Sequence, residues 1–236
     1  MMTRTSSLWA AASALSLSLA LAAPAAAAPR ADHSHELSFV VGREGVVEDG
    51  LLEDLLAERP VAPVGVRAGY GLAGPWSVVA GWQRAQRAQS IGVPYGDDDY
   101  GSVVQALAVQ QITAGVKVQR PVRAWFAPYA TLQGSALLGR YLLDENIDQD
   151  DNLNQLRSRA AAVGGVAALG VDVRPVKVGP VRLGTHIELG YGAHTRLRFE
   201  AGPEDARPLD AAGDTASLGE VALRGLHVQW GVGLRF

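Results

Sequence analysis

The stretch HVQWGVGLRF, residues 227–236, ends on a phenylalanine and alternates in character from one residue to the next. Large apolar side chains occupy the even positions Val228, Trp230, Val232, Leu234 and Phe236, and small or polar residues stand between them. A period of two is the periodicity of a β-strand, whose successive side chains point to opposite faces. Faces of such different character predict a strand with one face toward lipid and the other toward a polar interior.

The same alternation recurs through most of the chain. It is clearest over residues 181–199, where apolar residues hold nearly all the odd positions. The even positions include Arg182, His186, Glu188, His194, Arg196 and Arg198. Six further segments have the same texture, at residues 36–41, 64–72, 76–83, 102–119, 126–142 and 161–173. With residues 227–236, these segments predict eight strands.

The connections between these segments are alternately short and long. The short ones are residues 73–75, 121–123 and 175–180, rich in Pro and Gly as tight turns require. The long ones are residues 43–63, 84–101, 144–156 and 200–217. This rhythm is typical of outer-membrane barrels, which have short periplasmic turns and longer external loops. The sequence therefore predicts an all-β fold, an eight-stranded antiparallel up-and-down transmembrane β-barrel.

The first residues predict export. Arg4 precedes an apolar run over residues 8–23, and small residues follow at 25–28. This arrangement is typical of a secretory signal peptide and is short for a membrane anchor, which needs ~20 residues. We assign residues 1–27 to a signal peptide and residues 28–236 to the barrel domain.

The composition excludes several classes of protein. The chain has no cysteine, so neither a disulfide framework nor a lipoprotein thiol exists. No stretch after the signal peptide approaches the ~18 consecutive apolar residues of a transmembrane helix, although 48% of the residues are hydrophobic. A net charge of −3 argues against a nucleic-acid partner.

The signal peptide, the hairpin rhythm and the terminal strand VQWGVGLRF together resemble the small outer-membrane β-barrels of Gram-negative bacteria, the OmpA-, OmpX- and OmpW-like class. The resemblance implies an outer-membrane location. It also implies that the barrel-assembly machinery reads the terminal strand during biogenesis. The residues that would form this assembly signal are Phe236, Leu234, Val232 and Trp230.

A secreted lipocalin-like barrel is the soluble alternative, because alternation alone does not say which face points inward. The positions of the aromatic residues argue against it, since two belts of them near the strand ends are typical of membrane interfaces. The residues beside the short turns are Trp76, Trp125, Phe126 and Phe236, and those toward the long loops are Tyr141, Tyr191 and Phe199.

The polar faces of the strands predict an interior network of paired charges, because unpaired ions there are costly. Its predicted members are Arg67, Lys117, Asp172, Arg182, His186 and Glu188. An eight-stranded barrel has an interior just wide enough for side chains, so we expect a plugged lumen. A narrow channel for small or hydrophobic compounds is the alternative.

Two features of the sequence could support catalysis or metal binding. His186 and Glu188 share one face of a strand, as in lipid-modifying hydrolases, but no serine stands at a matching position on that strand. The acidic stretch DENIDQDDNLNQ, residues 144–155, weakly resembles a calcium loop, but Leu153 and Arg159 replace its glycine and glutamate. We therefore predict no catalytic residue, metal or cofactor. A short helix between Asp49 and Pro60 is also predicted.

The sequence thus favours a non-enzymatic outer-membrane barrel, structural or interacting with other molecules through its external loops. The alternatives are a narrow channel and an outer-membrane lipid-modifying enzyme. The expected partners are outer-membrane lipid, lipopolysaccharide and, during biogenesis, the barrel-assembly machinery. The protein is expected to be a monomer.

Overall fold

The structure is a computed structural model that describes residues 34–49, 62–72, 74–95, 99–146, 154–201 and 216–236. Within these ranges all regular elements are β-strands, and no helix there is long and apolar enough to cross a membrane. The predicted signal peptide, the predicted helix after Asp49 and most of the acidic stretch lie outside the described residues.

The strands run antiparallel and follow one another around a closed barrel. Their bounds are β1 His35–Asp49, β2 Val64–Gly71, β3 Trp76–Tyr95, β4 Asp99–Gln119, β5 Phe126–Asn146, β6 Asn154–Val178, β7 Val181–His194, β8 Leu197–Ala201 and β9 Ala216–Arg235. From β1 to β7 each strand pairs with the next, and β1 pairs with β9 to close the barrel. Both β7 and β8 pair with β9 and form two segments of one barrel member. The predicted eight-stranded up-and-down barrel is therefore confirmed.

The short turns and both ends of the described chain lie at one end of the barrel. Gly74 and Gly179 adopt φ values of 70° and 60° in the turns after β2 and β6, a conformation that glycine adopts without steric cost. At the same end, His35 and Phe236 exchange two backbone hydrogen bonds of 2.7 and 3.0 Å. These hydrogen bonds lie at the end of the β1–β9 strand pair that closes the barrel, which we call the seam.

Several strands extend beyond their predicted ends. Residues 84–101 were predicted to be a long connection, but β3 continues to Tyr95, and β4 starts at Asp99 with unbroken pairing to it. Likewise β1 continues to Asp49, and β6 passes Pro175 through a bulge between Val173 and Val176. The predictions failed because alternation marks a strand only where its two faces meet different surroundings.

The barrel has the polarity of a membrane protein. Leu132 and Leu189 face outward with 63% and 55% of their surface exposed, whereas Lys117 and Glu188 face inward with 1% and 0% exposed. Such an arrangement would be unstable in water, because apolar surface would be hydrated and charges buried. Lipid around the barrel reverses that cost, so the strands span a membrane and the soluble alternative is excluded.

The alternation changes sign where β7 meets β8. Thr195 and Arg196 belong to neither strand. From there on, Leu197 and Phe199 point inward, whereas Arg196 and Arg198 are exposed. The sequence predicted the reverse for these residues. The aromatic belt toward the long loops was also wrong in part, because Phe199 and Tyr141 are buried and their ring centroids lie 5.9 Å apart.

These inward residues form an apolar core at the end of the barrel away from the short turns. Tyr141 and Phe199 contribute its largest side chains, and leucines and valines from β4, β5, β8 and β9 pack around them. The polar interior described below ends under this core.

We expect Leu189→Arg to lower the free energy of unfolding by ~2–4 kcal/mol, because it places a charge on the lipid face near the middle of the membrane. Urea unfolding of the barrel refolded into lipid vesicles measures this cost. The control is Ala88→Arg, at an exposed position of β3 beyond the apolar band, which should be nearly neutral. Equal costs for the two variants would contradict the assigned membrane position.

Candidate functional site

The interior next to the short turns holds a cluster of four charges. Lys117 of β4 lies 3.0 Å from the Glu36 carboxylate of β1 and 3.6 Å from the Asp172 carboxylate of β6. Arg174 of β6 contacts the same two carboxylates at 2.9 and 2.5 Å. Each cation therefore faces two anions, which offsets the cost of burying all four. The Lys117 ammonium also lies 4.3 Å from the ring centroid of Tyr129.

A second charged pair crosses the middle of the barrel. The Arg67 guanidinium of β2 forms an ion pair and hydrogen bond with the Glu188 carboxylate of β7. Thr131 of β5 donates a 2.8 Å hydrogen bond to the other Glu188 oxygen, and Arg67 also contacts Gln229 of β9. Strands from opposite sides of the barrel therefore meet at this pair, and their side chains fill its cross-section.

On the side of this pair away from the short turns lies a group of polar side chains that come from several strands. His227 Nδ1 is 2.9 Å from a Glu44 oxygen, and Gln111 donates to the same oxygen at 3.4 Å. His194 Nε2 is 2.6 Å from the Ser135 hydroxyl, and its Nδ1 is 2.8 Å from the Leu223 carbonyl oxygen. Sequence reasoning missed these contacts.

Of the pair Glu44 and His227, only His227 could have been found from the sequence. His227 lies on the polar face of residues 227–236, and that face is predicted to point inward. Glu44 falls in residues 43–63, which were predicted to be a connection, so its position on a strand was hidden. The pairing of the two needs the register between β1 and β9, in which Glu44 is opposite His227.

The structure brings five of the six predicted network residues together and leaves one apart. Arg67 and Glu188 form the central pair, Lys117 and Asp172 belong to the cluster below, and His186 is buried between β6 and β9. The remaining residue, Arg182, lies beside the turn at the start of β7 and donates a hydrogen bond to the Ala124 carbonyl oxygen.

Inward-facing glycines provide the space for these long side chains. A Cβ atom on Gly170 would lie 2.5 Å from the Tyr129 ring, and one on Gly139 would lie 2.7 Å from the Phe199 ring. Both distances are shorter than any tolerated contact, so only glycine fits at these positions. Part of the high glycine content of the strands is thus explained by the filling of the interior.

The space left in the interior is small. Two cavities, one lined by Arg67, Gln133 and Gln229 and the other by Glu44, Gln83 and Leu223, have volumes of about 10 Å³ each. A volume of this size holds about one water molecule.

The residues of the predicted assembly signal lie on the outer face of β9. The side chains of Trp230, Val232, Leu234 and Phe236 are all exposed toward lipid, and the Phe236 ring stacks on His35 with centroids 5.6 Å apart. Their position at the seam between β1 and β9 is established, and their role in assembly stays a prediction.

Apolar residues around a closed barrel and ion pairs within it are the arrangement of bacterial outer-membrane proteins. The chain is a membrane-spanning β-barrel with this arrangement. No protein-family model matches its sequence, and no curated protein matches it either.

Solved structures resemble the chain in outline. The attachment invasion locus protein Ail of Yersinia pestis, solved with the heparin analogue sucrose octasulfate, is 13% identical, with 87% of this chain and 100% of that chain covered and a TM-score of 0.44. The outer membrane protein OprG of Pseudomonas aeruginosa is 11% identical, with 88% and 97% covered and a TM-score of 0.47. The outer membrane protease OmpT of Escherichia coli is 9% identical, with 89% and 98% covered and a TM-score of 0.39. Similarity at this level carries no information about activity.

The central ion pair can be tested by a double-mutant cycle. We expect Arg67→Met and Glu188→Leu each to lower the free energy of unfolding by ~3–5 kcal/mol, because each leaves an uncompensated buried charge. The double variant should cost clearly less than the sum of the two, because no buried charge is left unpaired. Urea unfolding in micelles gives the four values, with Lys177→Met at the exposed rim as a control. Additive costs would show that the two side chains do not act as a pair.

Proposed function

We propose that the protein is a non-enzymatic outer-membrane barrel whose polar interior is a structural plug and whose activity lies on its outer surface. The observation that carries this proposal is the Arg67–Glu188 pair, which crosses the middle of the barrel with Thr131 and Gln229 attached to it. The two cavities described beside it and above it hold about one water molecule each. A barrel filled in this way has its outer face and external loops available for interactions.

The apolar core weighs against the channel alternative. An ion that passed the charged layers would next meet Tyr141, Phe199 and the leucines around them, where nothing replaces its hydration shell. Hydrophobic compounds would have to pass the charged layers instead, so the same interior opposes both kinds of cargo.

One contact favours the enzyme alternative, and its surroundings argue against it. Ser135 and His194 lie at the distance of a nucleophile and its base. The other nitrogen of His194, however, contacts the carbonyl of Leu223 rather than a carboxylate, and the histidine is buried beneath the apolar core. Because a lipid substrate would have no path to this serine, the contact fits a structural hydrogen bond better.

The plug is tested by conductance in planar lipid bilayers. We expect the refolded protein to show no discrete channel steps, because side chains fill the whole cross-section of the barrel. Arg67→Ala combined with Glu188→Ala removes the central crossing and should raise the frequency of brief conducting events. Leu132→Ala, on the lipid face, is the matched control and should stay silent. Regular steps from the unmodified protein would refute the plugged interior and favour the channel.

The assembly role of the terminal strand is a further part of the proposal. Deleting Phe236 removes an exposed ring whose burial at the membrane interface contributes ~1–3 kcal/mol, a loss that a completed barrel tolerates. We expect the deletion to lower outer-membrane levels in cells, while the same variant refolded into detergent still migrates as a compact, heat-modifiable barrel. Equal losses in both settings would mean that Phe236 acts through packing alone.

A further inference from the structure

Arginines mark the upper limit of the apolar band on the outer face of the barrel. On six of the eight barrel members, the first outward charged residue beyond the exposed apolar side chains is an arginine, and all six are exposed. We call these residues the arginine collar. They are Arg43, Arg84, Arg140, Arg159, Arg196 and Arg224.

The height of the collar follows from the strands. A tilted strand crosses the hydrocarbon core in ~9–11 residues, so a count along β5 from Phe126 at the short-turn end finishes at residues 134–136, just before Leu138. Leu138 is the last exposed large apolar residue of that strand, and Arg140 is the next residue on the same face. Arg224 follows Leu226 on β9 in the same way. Since the short turns are periplasmic, the collar lies among the headgroups of the outer leaflet.

Most of the collar has no anionic partner in the described part of the chain. Glu220 accepts a hydrogen bond from Arg196 at 2.7 Å and forms an ion pair with Arg198, further along the chain, at 2.9 Å. The hydrogen bond from Arg196 lowers the pKa of the Glu220 carboxyl group. Arg84 donates a hydrogen bond to the Gln86 amide oxygen at 3.1 Å and has no ion pair with a carboxylate of the described ranges. For the four remaining arginines, no carboxylate of the described ranges lies within ion-pair distance.

One part of the collar concentrates positive charge. Arg140 of β5 and Arg159 of β6 are directly opposite each other across the strand pair. Arg157 lies two residues from Arg159 on the same exposed face and has no carboxylate partner within the described residues either. Like charges at opposite positions destabilise a sheet, so in isolation this patch weakens the pairing that holds it. An anion shared by the guanidinium groups would remove the repulsion, and phosphate matches the geometry of arginine in particular.

We propose that the arginine collar binds the phosphate groups of outer-leaflet lipopolysaccharide, with Arg140, Arg157 and Arg159 as its main contact. The proposal rests on the outer surface being the working surface of the protein and is independent of the plug. Because arginine contacts phosphate directly, binding needs no divalent cation. A lipopolysaccharide bridged through the acidic loop of residues 144–155 would need one.

The test compares Arg140→Gln combined with Arg159→Gln against the unmodified protein. Arg123→Gln, an exposed arginine beside a periplasmic turn, is the matched control. The measurement is the unfolding temperature in detergent micelles, followed by heat-modifiable migration, with increasing purified lipopolysaccharide in parallel series with and without EDTA. Dephosphorylated lipopolysaccharide and inorganic phosphate alone are the other two additions.

We expect lipopolysaccharide to raise the unfolding temperature of the unmodified protein and of the Arg123 variant. The double variant should need at least about tenfold more for the same shift, because charge-assisted hydrogen bonds to phosphate are lost. Without lipid the double variant should be as stable as the unmodified protein or more stable, since the repulsion has been removed. Dephosphorylated lipopolysaccharide should have little effect.

Four outcomes would overturn the proposal. An undiminished response of the double variant would place the contact elsewhere. A response that EDTA abolishes would indicate bridging cations, and an equal response to inorganic phosphate would indicate a site for the free ion. Loss of stability of the double variant without lipid would show that these arginines serve the fold. Because none of these measurements involves conductance, their failure is distinguishable from failure of the plug.

Discussion

The structure depends on the need to neutralise charge inside a barrel that has lipid on its other side. One layer of the interior contains two cations and two anions that form ion pairs, Lys117, Arg174, Glu36 and Asp172. The next layer contains the ion pair of Arg67 and Glu188. Because these residues come from five different strands, the ion pairs also fix how the strands are arranged around the axis. An error in register by one residue in any of these strands would turn the charges of that strand toward lipid.

Within the membrane, the sequence predicted the fold well because each strand there separates two unlike surroundings. The two faces of β5 and β9 follow from alternation, and the inward position of Arg67, Lys117 and Glu188 follows once the apolar face is assigned to lipid. Beyond the membrane both faces of a strand meet polar surroundings, the contrast disappears, and the full lengths of β3 and β4 could not be predicted. Contacts such as Ser135 with His194 depend on the register of three strands, which a local pattern does not contain.

The inversion at Thr195 and Arg196 illustrates the same limit. Leu197 and Phe199 continue the odd-numbered apolar positions of β7, which are interrupted there only by Thr195. Distant contacts accompany the change: the Thr195 backbone N–H donates to the Val163 carbonyl oxygen, and β8 then pairs with β9. The two side chains that the alternation assigned to the lipid face instead cover the polar interior at the barrel end away from the short turns. The outward turn of Arg196 and Arg198 follows from the same event, and with it part of the charge on the outer rim.

The seam between β1 and β9 has a consequence for how the barrel forms. It joins the two strands that are most distant in the sequence, and at its end His35 and Phe236 are connected by backbone hydrogen bonds. Neighbouring hairpins can form early, since their loops are short, but an open sheet exposes two unpaired edges until the seam is made. The fold therefore has a high contact order, and its final step carries the largest loop-closure entropy of all its strand pairings. A chain of this kind has to be kept from aggregating until its two most distant strands meet.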